Sequence, residues 1–151
     1  MKFRSLLLGA GLAAAVVSMP ALAQFDKPEA AIKYRQSALT LLASHFGRME
    51  GVVKGEAPYD AEQIKQNVAI VNTLAQLPWA GFGEGTEGGA AKPEVWSDPD
   101  GFKKAQERFT GAVAGLSAAA DSGDLAQLRE AFGKVGASCK ACHDSYRERR
   151  R

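Results

Sequence analysis

The last helical segment of this chain constrains the rest. Its apolar positions are Leu125, Leu128, Phe132, Val135, Cys139, Cys142 and Tyr146, spaced 3-4-3-4-3-4. That spacing puts a stripe on one face of a helix and requires partner helices to cover it. Two cysteines occupy the stripe, and His143 follows the second directly.

Cys139-Lys140-Ala141-Cys142-His143 is a C-x-x-C-H run, the attachment signal of a covalent haem. Thiols three positions apart share one side of a helix, so both can add to the vinyl groups of a single porphyrin. The adjacent imidazole can then reach the iron as axial ligand. Other uses of paired cysteines fit less well. A disulfide here would close a very small loop. A thioredoxin-like pair belongs at a helix N-terminus in an α/β pattern, whereas this pair sits late in a helix. A zinc site wants four ligands, and only His45 could join the three residues of the run. One covalent haem c per chain is the favoured cofactor, with His143 on the iron.

The N-terminus reads as export machinery. Lys2 and Arg4 precede an apolar run from Leu6 to Val17, then Pro20 and the small-residue site Ala21-Leu22-Ala23. This predicts a cleaved signal peptide over 1–23 and an exported haem domain over 24–151. The run is short for a membrane span, and no later segment is apolar enough to insert. The full chain carries 19 Lys and Arg against 17 Asp and Glu. Loss of Lys2 and Arg4 balances these, so no basic field argues for nucleic acid.

Three further segments carry helical period. The first is expected over Pro28 to Val53, with Ile32, Arg35, Leu39, Leu42, Phe46, Met49 and Val53 in its seam. The second starts at Asp60, an N-cap with Gln63 three residues on, and stops by Pro78. A long irregular stretch over 79–98, rich in glycine, is expected to have a job or to move. The third starts at Ser97 or Asp98 with Pro99 in its first turn, and Asp124 caps the fourth. The expected fold is all-α: an antiparallel up-down-up-down four-helix bundle with the haem inside one end.

Antiparallel topology places the early turns of the first helix beside His143. Arg35 is a guanidinium in a seam, so it needs a partner. A haem propionate is one; solvent, reached by snorkelling at the helix end, is the other. Leu39 lies one turn further and would face the iron. Met or His commonly fills the sixth position of c-type haems. Met49 lies about 15 Å beyond Leu39 along the helix and His45 about 9 Å, and His45 is off the seam. The iron is therefore expected to be five-coordinate beneath an apolar cap, a site for nitric oxide and carbon monoxide more than for dioxygen. Arg147, four residues after His143, would share its helical face, or be a solvated charge in the basic tail.

With its haem motif on the last helix, followed by Tyr146-Arg147, and with Tyr34-Arg35-Gln36 in the first, the chain resembles the cytochrome c′ family. Trp79 after Leu77-Pro78 and the Gly-rich loop also fit. The resemblance implies a periplasmic homodimer with high-spin haem that binds nitric oxide and carbon monoxide. It implies roles in nitric oxide protection, electron transfer or both. A peroxidase would want a distal His-Arg acid/base pair, and none is evident, so no enzymatic turnover is expected. A dedicated electron carrier is the competing role. The resemblance further implies that Arg35 and Gln36 lie near the haem edge, Leu39 caps the distal face, Arg147 lies near the proximal histidine, and Trp79 and Phe82 pack on the haem.

Overall fold

Three of the four long helices begin where a capping aspartate dictates, and the fourth begins on a proline. The structure is a computed structural model that describes residues 25–149; the expected signal peptide lies outside these. Helix α1 (Pro28–Gly47) starts with proline in its first turn, whose missing N–H costs nothing there. Helix α3 (Ala61–Leu74) starts at Asp60, whose Oδ1 accepts from the amides of Glu62 and Gln63 at 3.0 and 3.1 Å. Helix α5 (Pro99–Ser122) starts at Asp98, which accepts from Gly101 N. Helix α6 (Leu125–Tyr146) starts at Asp124, which accepts from the amides of Ala126 and Gln127.

These four helices form the bundle. α5 packs along α6, α3 along α5, and α1 along α3. Only Gly123 and Asp124 separate α5 from α6, which makes that pair an antiparallel hairpin, whereas longer connections over 48–60 and 75–98 join the other helices. Leu128, Leu116, Val71, Val113 and Val135 are fully buried between them. Each contributes roughly 1.5–3 kcal/mol relative to an exposed position.

The first helix departs from expectation. Its seam continues to Val53, but the backbone breaks after Gly47 and restarts as α2 (Glu50–Lys54). Gly47 is the poorest helix former near the break apart from proline, and the turn lets both Met49 and Val52 face the core. Gly55, at φ +78°, ends α2 in the left-handed conformation that glycine adopts without strain.

The stretch over 79–98 is not wholly irregular. Pro78–Phe82 forms a 3-10 turn packed on α1, and Glu94–Ser97 forms a short helix, α4. The C-terminus also differs. α6 stops at Tyr146, and Arg147 is extended, paired with Ala91 in an antiparallel bridge. Arg147 therefore does not continue the helical face of His143. Among the described residues no helix is long and apolar enough to cross a membrane.

Candidate haem-binding site

At the end where α1 begins and α6 finishes, the two helices stand apart around a cavity of about 620 Å³. Cofactor sites commonly fall between about 300 and 1,000 Å³. All nine residues singled out from sequence line it: Arg35, Gln36, Leu39, Trp79, Phe82, Cys139, Cys142, His143 and Arg147. So do Phe46, Phe102, Phe109 and Tyr146, none of which sequence reasoning singled out as a haem neighbour. Their signal was position: Tyr146 is one turn past His143, and Phe46 two turns past Leu39.

The α6 wall carries the attachment chemistry. Cys139 and Cys142 are half-buried, one turn apart, and not joined to each other. Burial pushes both thiols above their ordinary pKa, and Cys142 adds to the rise at Cys139. Redox cysteines of the thioredoxin type are activated in the opposite direction. The pKa of His143 is lowered, first by burial and then by the positive charge of Arg147, with Asp144 opposing. The neutral imidazole this favours is the form that ligates metal.

The facing α1 wall presents Leu39, Ala43 and Phe46. No methionine lines the cavity, and its only histidine is His143. Met49 is fully buried in the core beyond the helix break. His45 is held elsewhere: its Nδ1 lies 2.8 Å from Asn67 Oδ1, and Asn67 Nδ2 donates to the His45 carbonyl at 2.7 Å. The small side chains of Ala43, Ala90 and Ala91 leave width for a flat macrocycle.

Arg35 has partners that sequence did not foresee. It is 2% exposed, so it does not snorkel to solvent. Its Nη1 donates to the carbonyls of Gly81 and Thr86 at 2.5 and 2.7 Å, and its Nη2 to that of Gly88 at 2.7 Å. Three of its five N–H donors are thus used within the loop. Burial lowers its pKa, and Glu87 opposes that. The guanidinium carbon lies 4.7 Å from the centre of the Phe82 ring and 5.5 Å from that of Trp96.

Aromatic rings close the remaining side. Trp79 donates Nε1–H to the Ala75 carbonyl at 2.7 Å and stands edge-on to Phe102 and Phe109 at 6.2 and 6.1 Å. Such edge-to-face pairs add about 0.5–1.5 kcal/mol beyond burial. The cavity is therefore mostly apolar, with cations at its margin (Arg35 and Arg147) and two thiols with an imidazole along one wall. An apolar macrocycle with two carboxylates and a ligand-seeking iron fits that donor set.

Known proteins match this architecture. The family model described as cytochrome C' matches residues 30–147. The cytochrome c' of Alcaligenes xylosoxydans xylosoxydans is 67% identical over 127 residues, which span 84% of this chain and 100% of that protein. The cytochrome c' of Rubrivivax gelatinosus is 50% identical over 129 residues, 83% of this chain and 100% of that one. Among solved structures, the nitric oxide complex of a leucine-to-alanine mutant of cytochrome c prime from Alcaligenes xylosoxidans superposes with a TM-score of 0.83 at 65% identity. It covers 84% of this chain and 100% of that one. Motif, bundle and relatives agree: the chain belongs to the cytochrome c′ family, whose members carry a covalently bound c-type haem.

Proposed function

We propose that this protein is a periplasmic, five-coordinate haem c protein that binds nitric oxide and carbon monoxide. One haem per chain is held by thioether links to Cys139 and Cys142, with His143 on the iron. Leu39 covers the opposite, distal face. The observation that carries this is the composition of the α1 wall: Leu39, Ala43 and Phe46 face the cavity, and no methionine or second histidine does. Mutants of a related cytochrome c prime from Alcaligenes xylosoxidans, with one leucine changed to alanine, valine or isoleucine, form nitric oxide complexes, which supports the same ligand here.

The bound haem supplies an iron with one position free for a diatomic ligand. The chain's own residues do the rest. Cys139 and Cys142 fix the macrocycle against α6. A neutral His143 offers its lone pair. Leu39 crowds the distal face with a side chain that donates no hydrogen bond, which disfavours dioxygen more than nitric oxide. Arg147, Gln36, Arg35, Trp79 and Phe82 all line the cavity; Arg147 would stand on the His143 side, Arg35 and Gln36 near the haem edge, and Trp79 and Phe82 would pack on the haem. The physiological role is nitric oxide binding and protection, electron transfer, or both, in a homodimer exported by the segment over 1–23.

The absorption spectrum of the ferrous protein tests this. A broad high-spin band that changes with nitric oxide is expected. A sharp low-spin α/β pair, the mark of a sixth protein ligand, would reject it. Fast reduction by a periplasmic donor combined with weak nitric oxide binding would favour the dedicated electron carrier.

A further inference from the structure

The segment over 81–92 runs from the α1 wall of the cavity to the end of α6, and it is fastened at both ends. At the first end Arg35 binds the carbonyls of Gly81, Thr86 and Gly88. Thr86 braces the same turn, its hydroxyl donating to the Gly83 carbonyl at 2.6 Å. Trp96 donates to that carbonyl as well, at 3.0 Å. Gly81 fits because it has no side chain: a Cβ there would lie 2.8 Å from the Ala31 carbonyl and 2.9 Å from Arg35 Cβ.

At the second end the backbone of the same segment joins the C-terminus. Glu148 N donates to the Ala90 carbonyl at 2.9 Å, and Lys92 N to the Tyr146 carbonyl at 3.0 Å. Lys92 Nζ also donates to the Asp144 carbonyl at 2.9 Å. Ala91 bridges Arg147 itself. Only Gly89 separates the carbonyl that Arg35 holds at Gly88 from the one that Glu148 holds at Ala90.

We propose that Arg35 is a positioning residue. Its guanidinium fixes the 81–92 segment as a wall of the cavity, and that segment in turn holds Arg147 beside His143. A residue on the distal helix thus sets the geometry of the proximal side. The ordering of the segment stands on the protein alone; its effect on the iron rests on the haem reading above.

The test uses the holoprotein with Arg35→Lys and Arg35→Gln. A lysine keeps the charge that a propionate would use, but its single nitrogen cannot span three carbonyls. Amide hydrogen exchange at Ala91, Lys92 and Glu148 should quicken by about tenfold or more in both variants, with amides early in α6 unchanged. Wild-type exchange in Arg35→Lys would overturn the proposal, since charge alone would then suffice. The iron–imidazole stretching band should shift in both variants; a fixed band beside faster exchange would overturn the proximal half. Should neither variant accumulate, Thr86→Val loosens the same turn with Arg35 intact. It should quicken exchange at Thr86 and Ala91, and unchanged rates there would overturn the proposal. The spin state of the unmutated protein reads the haem assignment separately, so the two failures are distinguishable.

Discussion

Tyr146, on the last turn of α6, donates its hydroxyl to Asp98 Oδ2 at 3.0 Å, and Asp98 is the residue that caps α5. One carboxylate thus starts one helix and anchors the end of its neighbour. The tyrosine ring also stands edge-on to Phe102 at 5.3 Å. Tyr146→Phe keeps the ring and loses the bond. Because the pair is near the surface, the loss should be small, about 0.5 kcal/mol by urea unfolding. The Tyr146 pKa is raised, first by burial and then by the bond to Asp98 and its charge. A raised value means the neutral phenol stabilises the fold below its unfolded pKa of about 10. That contribution disappears as pH climbs through the higher folded value. The parent should therefore lose its advantage over Tyr146→Phe in strongly alkaline solution.

Leu39→Ala should open the distal side of the cavity. Carbon monoxide should associate several-fold faster in stopped-flow measurements. Leu39 is half-buried and faces a cavity, so the stability loss should fall below the roughly 2–5 kcal/mol of a fully packed leucine. An unchanged association rate would show that Leu39 does not cover the iron.

Phe46 and Phe132 stack at 4.1 Å with their planes 5° apart, joining α1 to α6 below the cavity. Phe132→Ala should cost about 2–3 kcal/mol, under the full-burial range because the ring is half-buried. Thermal unfolding measures it. A change within error would mean the stack carries no load between the helices.

Asp124 caps α6, and its pKa is depressed by the side chain of Gln127 and by the amides of Gln127 and Ala126. A depressed value contributes stability above the unfolded pKa of about 3.9. That stability disappears as pH falls through the lower folded value. Asn caps nearly as well but does not titrate there. Asp124→Asn should match the parent near neutral pH and lose less stability on acidification. An identical acid profile would remove Asp124 from the account.

Helical period was readable because four seams obey it and each of three helices opens on an aspartate that does cap it. Period alone could not reveal the break after Gly47, since the apolar spacing passes through it and only the backbone turns. It also could not separate two uses of one stripe. Leu39 borders the cavity alone, whereas Leu42 and Phe46 both border it and pack on the core. The motif pointed to a haem, and antiparallel order placed Arg35 and Leu39 in the cavity that the motif lines. The partners of Arg35 were out of reach because they are backbone carbonyls in a glycine-rich loop. No side-chain pattern encodes which carbonyl turns inward.

The stack of Phe46 on Phe132 has a wider meaning for how the molecule divides its labour. It stands as a floor between two storeys of the bundle. Below it lies an apolar block built on Met49, Ile64, Val68, Leu116 and Leu128, none of which borders the cavity. Above it lies the chamber. Selection can therefore reshape the ceiling at Leu39 or the rim at Gln36 and leave the foundation untouched, so one scaffold can host irons of different reactivity.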